Sequence, residues 1–153
     1  MKKKIVFIMN PISGTSSKAA VPSLIDSTLD KEQFEYEIKM TERPGHASEL
    51  AAEARDNHAD IVVAVGGDGT VNEVARSLVH SDSALGILPC GSGNGLARHL
   101  LLPMNLKKSI EIINACEIHD LDYGVINEYP FFCTCGMGFD AFVSMKFAES
   151  GKR

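Results

Sequence analysis

One stretch, residues 61–75, constrains the fold of this chain more than any other. It runs Ile-Val-Val-Ala-Val-Gly-Gly-Asp-Gly-Thr-Val-Asn-Glu-Val-Ala. The first five residues are apolar and mostly β-branched, which is typical of a strand buried on both faces of a parallel sheet. From about Thr70 to Leu78 the apolar residues recur at helical spacing. The sequence therefore predicts a strand, a glycine-rich turn and a helix.

The turn itself has the features of a phosphate site. The three glycines of Gly66-Gly67-Asp68-Gly69 allow positive φ and keep Cβ atoms away from a ligand. The N–H groups from Gly66 to Thr70, with the helix N-terminus, direct partial positive charge at one point. Asp68 is out of place beside an anion unless a metal ion or a proton transfer requires its charge. It is therefore the candidate catalytic residue and a candidate metal ligand through water; the alternative is that it hydrogen-bonds turn amides.

Length and composition indicate one compact domain over residues 1–153. The chain is 44% hydrophobic and has a formal net charge of -5, without a basic cluster, so nucleic acid is not an expected partner. No apolar stretch approaches the roughly 20 residues of a membrane span. We expect a cytoplasmic protein whose membrane contact, if any, is peripheral. The spacing of the cysteines favours buried free thiols, with Cys133 and Cys135 on one strand.

The rest of the chain alternates between strands and helices, which predicts a three-layer α/β/α domain with a mostly parallel sheet. Residues 34–40 alternate apolar and polar and therefore predict a strand at or near the sheet edge. After the expected helix 105–115 we expect a hairpin, formed by residues 117–126 and 129–135, and then a final helix. The other expected strands are 4–9 and 84–88, and the other expected helices are 19–29, 47–57, 96–101 and 105–115.

Several polar loops follow the predicted strands, where ligands bind in open α/β sheets. The first, residues 10–17, is rich in hydroxyls and glycine, which suits phosphate or ribose, although an ordinary connection is equally open. A second glycine-rich turn, residues 89–95, is expected to face the first turn. His46 is expected to be a polar residue at a helix start, and Arg98 can offset phosphate charge.

These motifs together resemble the diacylglycerol kinase catalytic domain, which bacterial lipid kinases, sphingosine kinases and ceramide kinases share. The residues are Gly66-Gly67-Asp68-Gly69-Thr70 with Asn72-Glu73, the Asn-Pro-x-x-Gly loop at Asn10 to Gly14, and Pro89 to Arg98. In the last element Ser92 replaces the family's Thr and Gly95 replaces its Asp. NAD kinases and phosphofructokinases carry the same short turn, but the Pro89 to Arg98 element favours a lipid kinase over an NAD kinase.

The resemblance implies the fold of the family's N-terminal nucleotide-binding domain, similar to that of NAD kinases, and ATP and Mg²⁺ as nucleotide and metal. It also implies transfer of the γ-phosphate to the hydroxyl of a lipid at the membrane surface, within phospholipid metabolism. The residues that would hold the nucleotide are Asn10, Pro11, Ile12, Ser13, Gly14, Thr41, Gly66, Gly67, Asp68, Gly69, Thr70, Asn72, Glu73, Ser92 and Asn94.

Asp140 lies in a segment that resembles the family's Gly-x-Gly-Phe-Asp-Ala and becomes a candidate for acceptor binding; otherwise it is a helix N-cap. The β-rich C-terminal domain of the family, with its own catalytic Asp in bacterial diacylglycerol kinases, is absent from these 153 residues. Two alternatives stay open: an NAD kinase relative, and a nucleotide-binding module without catalysis of its own. A homodimer is also left open.

Overall fold

The computed structural model describes residues 1–11 and 18–149, without the side chains of residues 147 and 148. Four strands and five helices form the main body, in the order β1 (Lys3–Met9), α1 (Val21–Thr28), β2 (Phe34–Met40), α2 (His46–Asp56), β3 (Ile61–Gly66), α3 (Asp68–Leu78), β4 (Ala84–Pro89), α4 (Gly95–His99) and α5 (Leu106–Ala115). The strands β5 (Gly124–Ile126) and β6 (Tyr129–Phe131) and the helix α6 (Phe139–Glu149) follow.

The main sheet is parallel, with the strand order β2-β1-β3-β4. The amphipathic strand β2 therefore lies at an edge, as its alternating pattern predicts. From Ile5 onward in β1, and throughout β3, the residues are apolar and buried, which is the pattern expected of strands covered by helices on both sides.

Helices cover both faces of this sheet, so the predicted three-layer α/β/α fold is confirmed. Alternate residues of each inner strand enter different cores: Val6 and Ile8 pack with α2, α3 and α4, while Ile5 and Phe7 pack with α1 and α5. This division follows from the two-residue period of a strand. Within residues 1–11 and 18–149, no helix combines the length and apolarity that crossing a bilayer requires.

The C-terminal segment differs from its prediction in the length of both strands. The strands β5 and β6 form the expected antiparallel hairpin, but β5 begins at Gly124, so residues 117–123 are not part of it, and β6 ends at Phe131. Cys133 and Cys135 therefore lie after the strand and are exposed, so the prediction that they are buried on a strand is wrong. The short β6 has one partner strand, and Gly136 and Gly138 soon follow, so pairing does not extend as far as the apolar run does.

Candidate functional site

The candidate site lies where the carboxyl ends of the strands meet at one edge of the sheet. From β1 the chain passes to β2, which lies on one side of β1 in the sheet, and then to β3, which lies on the other side of β1. The direction in which strands are added therefore reverses between β1 and β3. Such a switch point is the usual ligand site of an open α/β sheet. Here Asn10 N–H donates to the carbonyl of Val65 (3.2 Å), and Thr41 N–H donates to the carbonyl of Met9 (2.9 Å).

The two glycine-rich turns, residues 66–69 at the end of β3 and 89–95 at the end of β4, are in direct contact. A Cβ atom at Gly67 would lie 3.1 Å from Cα of Gly91, and a Cβ atom at Gly91 would overlap Cα of Gly67. Cys90 N–H also donates to the carbonyl of Gly66 (2.9 Å). Glycine is therefore required at this contact because two backbones approach each other, as the sequence predicts for facing turns.

Asp68 joins the two turns. Its Oδ2 accepts a hydrogen bond from Asn94 N–H (2.9 Å), and its Oδ1 accepts one from Gly95 N–H (2.6 Å). A Cβ atom at Gly93 would lie 2.7 Å from the same Oδ2, so the second turn wraps closely around the carboxylate. Asp68 thus binds turn amides, as the alternative interpretation has it, but the amides belong to the other turn. The side chain remains exposed, and its oxygens keep lone pairs for further partners.

Asn94 gives the second turn its shape. Its Oδ1 accepts from Gly91 N–H (2.8 Å), and its Nδ2 donates to the carbonyl of Gly91 (2.7 Å). The residue is buried and has a φ of 55°, a left-handed conformation that asparagine tolerates better than most residues. Asn94 is therefore a structural part of the site.

The first turn does not use the positive φ that its glycines allow. Gly66, Gly67 and Gly69 are absent from the positive-φ residues, and α3 begins at Asp68, two residues before the predicted start. Gly66 is the last residue of β3, and a Cβ atom there would lie 2.6 Å from Cβ of Thr70. Gly69 faces open space. Glycine allows close packing at positions 66 and 67. At position 69 it leaves the start of α3 without a side chain over it.

One polar residue in the first half of α3 connects this helix to a neighbouring loop. Thr70 is buried against Gly66, and Asn72 is half-buried one residue before Glu73. Oε1 of Glu73 accepts a hydrogen bond from Gly45 N–H (3.2 Å) in the loop after β2. Glu73 therefore braces the loop that contains Thr41.

Lys18 is a site residue that the sequence did not point to. Its Nζ donates to the carbonyl of Asn10 (2.6 Å), and the side chain is buried at the end of β1. Burial lowers the pKa of Lys18, and burial raises the pKa of the nearby Cys90 thiol while the lysine charge opposes that rise. One signal was available: Lys18 is the first charged residue after the hydroxyl-rich loop.

The remaining predicted site residues are less closely joined. Pro11 and Ser92 are exposed at the same edge, while Ile12, Ser13 and Gly14 lie outside the described residues. Nε of Arg98 donates to the carbonyl of Gly93 (2.9 Å), so part of that guanidinium holds the second turn. His46 begins α2, as expected, and its Nδ1 accepts from Glu42 N–H (3.1 Å).

Asp140 occupies the first turn of α6 and is exposed, and none of the described contacts joins it to the two turns. In the described part of the chain, no group of three or more His, Cys, Asp or Glu side chains is placed to hold a metal ion. Mg²⁺ commonly keeps several waters and is held by one or two carboxylates and the substrate phosphates. The exposed carboxylate of Asp68 fits that arrangement.

Curated relatives of this chain include several diacylglycerol kinases and a putative lipid kinase from Streptococcus pneumoniae. This chain is 34% identical over 134 residues to a diacylglycerol kinase from Staphylococcus saprophyticus subsp. saprophyticus, and the match covers 86% of this chain and 44% of the relative. It is 33% identical to a diacylglycerol kinase from Staphylococcus haemolyticus, covering 86% and 40%. This chain therefore spans less than half the length of these relatives.

A crystal structure of a diacylglycerol kinase from Bacillus anthracis str. Sterne has a similar fold, with a TM-score of 0.71 and 24% sequence identity. The similarity covers 85% of this chain and 48% of that one. The family model of the diacylglycerol kinase catalytic domain matches residues 4–126, which include both glycine-rich turns and all four strands of the main sheet. The chain therefore belongs to the diacylglycerol kinase catalytic domain family.

Proposed function

We propose that this chain is the nucleotide-binding part of an ATP-dependent lipid kinase, which transfers the γ-phosphate of ATP to a hydroxyl of a lipid such as diacylglycerol or a sphingoid base. The observation that carries the proposal is the pair of glycine-rich turns, which Asp68 joins at the switch point of the sheet. The match to the family model supports the same function. Catalysis of phosphoryl transfer consists mainly of positioning and charge neutralisation. A rigid turn pair suits both tasks.

The first turn of α3 is the proposed phosphate site. The first N–H groups of a helix have no partner within the helix, and those of Asp68, Gly69 and Thr70 begin α3. Open space beside Gly69 lets a phosphate approach these groups. Ser92, Asn72 and the loop containing Asn10 and Pro11 would contact the rest of the nucleotide from the neighbouring strand ends.

Asp68 has two proposed tasks. Its hydrogen bonds to Asn94 and Gly95 fix the orientation of the carboxylate, and its free lone pairs face solvent. There it would hold Mg²⁺ through water, or orient and deprotonate the attacking hydroxyl. Bound Mg²⁺ supplies charge neutralisation at the transferred phosphate.

The acceptor side lies largely beyond the described contacts. Asp140 is the proposed contact to the polar head of the lipid, and the relatives' greater length leaves room for the family's β-rich lipid-binding domain. We place the protein in the cytoplasm, peripheral to the membrane. The names of relatives support a lipid kinase, and the proposed acceptor is the hydroxyl of a lipid.

A two-part experiment tests this function. Calorimetric titration of the chain with ATP and Mg²⁺ measures nucleotide binding, and radiolabelled ATP with a panel of diacylglycerol, sphingosine and ceramide measures transfer in a protein of full family length. We expect saturable ATP binding and label in one lipid class. Binding without transfer to any lipid would leave a nucleotide-binding module, and transfer to NAD in place of a lipid would identify an NAD kinase relative.

A further inference from the structure

The loop after α4 combines features that are unfavourable for an isolated protein. Leu101 N–H donates to the carbonyl of Arg98 (3.0 Å), and Leu102 N–H donates to the carbonyl of Ala97 (2.9 Å). This pair of bonds is the Schellman ending of a helix, in which the residue at the position of Leu101 adopts positive φ and is usually glycine or asparagine. Leu101 has a φ of 57° there, so its backbone is strained for a leucine.

The strained leucine is also the most exposed part of the loop. The side chain of Leu101 is 89% exposed, and Leu100 and Met104 are exposed at 39% and 36%. Leu102, by contrast, packs against the core under α4. The helix ending therefore packs one leucine against the core and projects its neighbour into solvent. We call Leu100, Leu101 and Met104 the apolar tip.

The segment of chain that carries the apolar tip is basic, although the chain as a whole is acidic. Residues 83–110 contain no Asp or Glu, but they contain Arg98, Lys107 and Lys108, in a chain of net charge -5. All three basic side chains are exposed. Lys107 and Lys108 also occupy the first turn of α5, where the helix dipole favours acidic residues. Like the strain at Leu101, this placement costs stability. Exposed basic and apolar side chains on one segment suit an anionic apolar partner such as a lipid surface.

The exposed apolar residues near the C-terminus have the opposite electrostatic setting. Phe139 and Phe142 are exposed, but residues 117–149 contain six acidic residues and one basic residue, Lys146, whose Nζ lies 5.8 Å from the centre of the Phe142 ring. An anionic surface would repel that region. Charge therefore distinguishes the apolar tip from the other exposed apolar residues.

The apolar tip is also close to the candidate site. Helix α4 begins at Gly95, whose N–H donates to Asp68, and it is five residues long. At about 1.5 Å per residue, α4 separates the tip from Asp68 by only about 7.5 Å along its axis. A surface that binds the tip would therefore lie beside the site.

We propose that the apolar tip, with Arg98, Lys107 and Lys108, docks on an anionic phospholipid surface, with the Leu101 side chain entering the headgroup region. Apolar burial and attraction to anionic lipids act together in such peripheral binding. The purpose of the contact rests on the proposed function, because it would bring the Asp68 site to a lipid acceptor. The contact itself does not depend on catalysis.

The test is co-sedimentation of the whole chain with vesicles of phosphatidylcholine alone or with about one third phosphatidylserine, neither of which contains the proposed acceptors. We expect binding to the anionic vesicles only, with affinity falling as salt is raised. Leu101→Asn should weaken this binding about ten-fold, since one leucine no longer enters the membrane. Its melting temperature should not fall, because asparagine tolerates the positive φ. Lys107→Gln with Lys108→Gln should weaken binding about five-fold per lysine.

The matched control is Ile118→Asn, which removes another exposed apolar side chain, 60% exposed, outside the tip. Equal losses for Ile118→Asn and Leu101→Asn, or no loss for Leu101→Asn, would overturn the proposal. Gel filtration tests whether the apolar tip binds a second copy of this chain instead. If Leu101→Asn abolished self-association and left vesicle binding unchanged, the tip would be assigned to a contact between two copies. An ATP titration of the same variants reports on the proposed function separately, so either idea can fail alone.

Discussion

The two glycine-rich turns have similar sequences, but they differ in the helix that follows and in the groups that they contribute to the site. The turn after β3 leads into α3, an 11-residue helix, and contributes a carboxylate, Asp68. The turn after β4 leads into α4, a five-residue helix, and contributes the amides that bind this carboxylate and the side chain of Asn94 that closes the turn. One turn supplies the charge, and the other holds it in place.

This difference shows that glycine has a separate physical reason at each position. At Gly91 and Gly67 two backbones touch, so any side chain would force them apart. At Gly69 a side chain would meet only open space, so the folded chain alone does not require glycine. A ligand in that space would require it. Substitutions at the two kinds of position should therefore separate folding from nucleotide binding.

The largest expected effect is that of Gly91→Val. The new Cβ would overlap Cα of Gly67 and lie 2.9 Å from Oδ1 of Asn94, so the turns would have to separate. We expect the free energy of unfolding to fall by about 3 kcal/mol, as for an overpacked site. Urea unfolding followed by circular dichroism measures this change.

Gly69→Val is the matched control within the other turn. It lies in α3 with open space around it, so we expect a change in unfolding free energy of less than about 1 kcal/mol. It should nevertheless abolish ATP binding in calorimetry, because the side chain fills the proposed phosphate space. If Gly69→Val bound ATP normally, the first turn would not be the nucleotide site.

Asp68→Asn comes next and tests the charged side of the comparison. Asparagine keeps one acceptor but presents an NH₂ group to the second amide, which costs about 1 kcal/mol of stability at this exposed site. Turnover in a protein of full family length should fall at least about 10²-fold, with ATP affinity little changed or improved. Kinetic assays on the folded variant measure both quantities.

Asp82→Asn, at another exposed acid outside the turns, controls for the loss of one negative charge. Unchanged turnover in Asp68→Asn would make Asp68 a residue that only joins the turns. A collapse of ATP affinity together with turnover would instead assign its main role to the nucleotide site.

The sequence predicted the sheet well because its signals are local and strong. The β-branched run of β3 and the alternation in β2 indicated an inner and an edge strand, and the order β2-β1-β3-β4 agrees with both. The facing of the two turns also followed from adjacent parallel strands. These features depend on periodicity and topology, which a single sequence contains.

What could not be predicted depends on contacts between distant residues. Nothing local shows that Asp68 binds the amides of Asn94 and Gly95, 26 and 27 residues away, or that Nζ of Lys18 reaches the carbonyl of Asn10. The positions of Cys133 and Cys135 failed for a related reason, because an apolar run forms a strand only as far as a partner strand extends.

The last prediction concerns Asn94, where conformation and hydrogen bonding can be separated. Asn94→Gly keeps the left-handed backbone but removes both side-chain bonds to Gly91, so stability should fall by about 1 kcal/mol. Asn94→Ala removes the same bonds and adds the strain of positive φ, for a total of about 2 kcal/mol. Chemical unfolding of both variants measures the difference, and ATP titration should show weaker binding in both, because the second turn no longer holds Asp68 in place.

Equal stabilities would show that the turn relaxes out of its left-handed conformation once the side chain is gone. ATP binding as in the wild type would show that the second turn serves folding alone, and the division of tasks between the two turns would not hold.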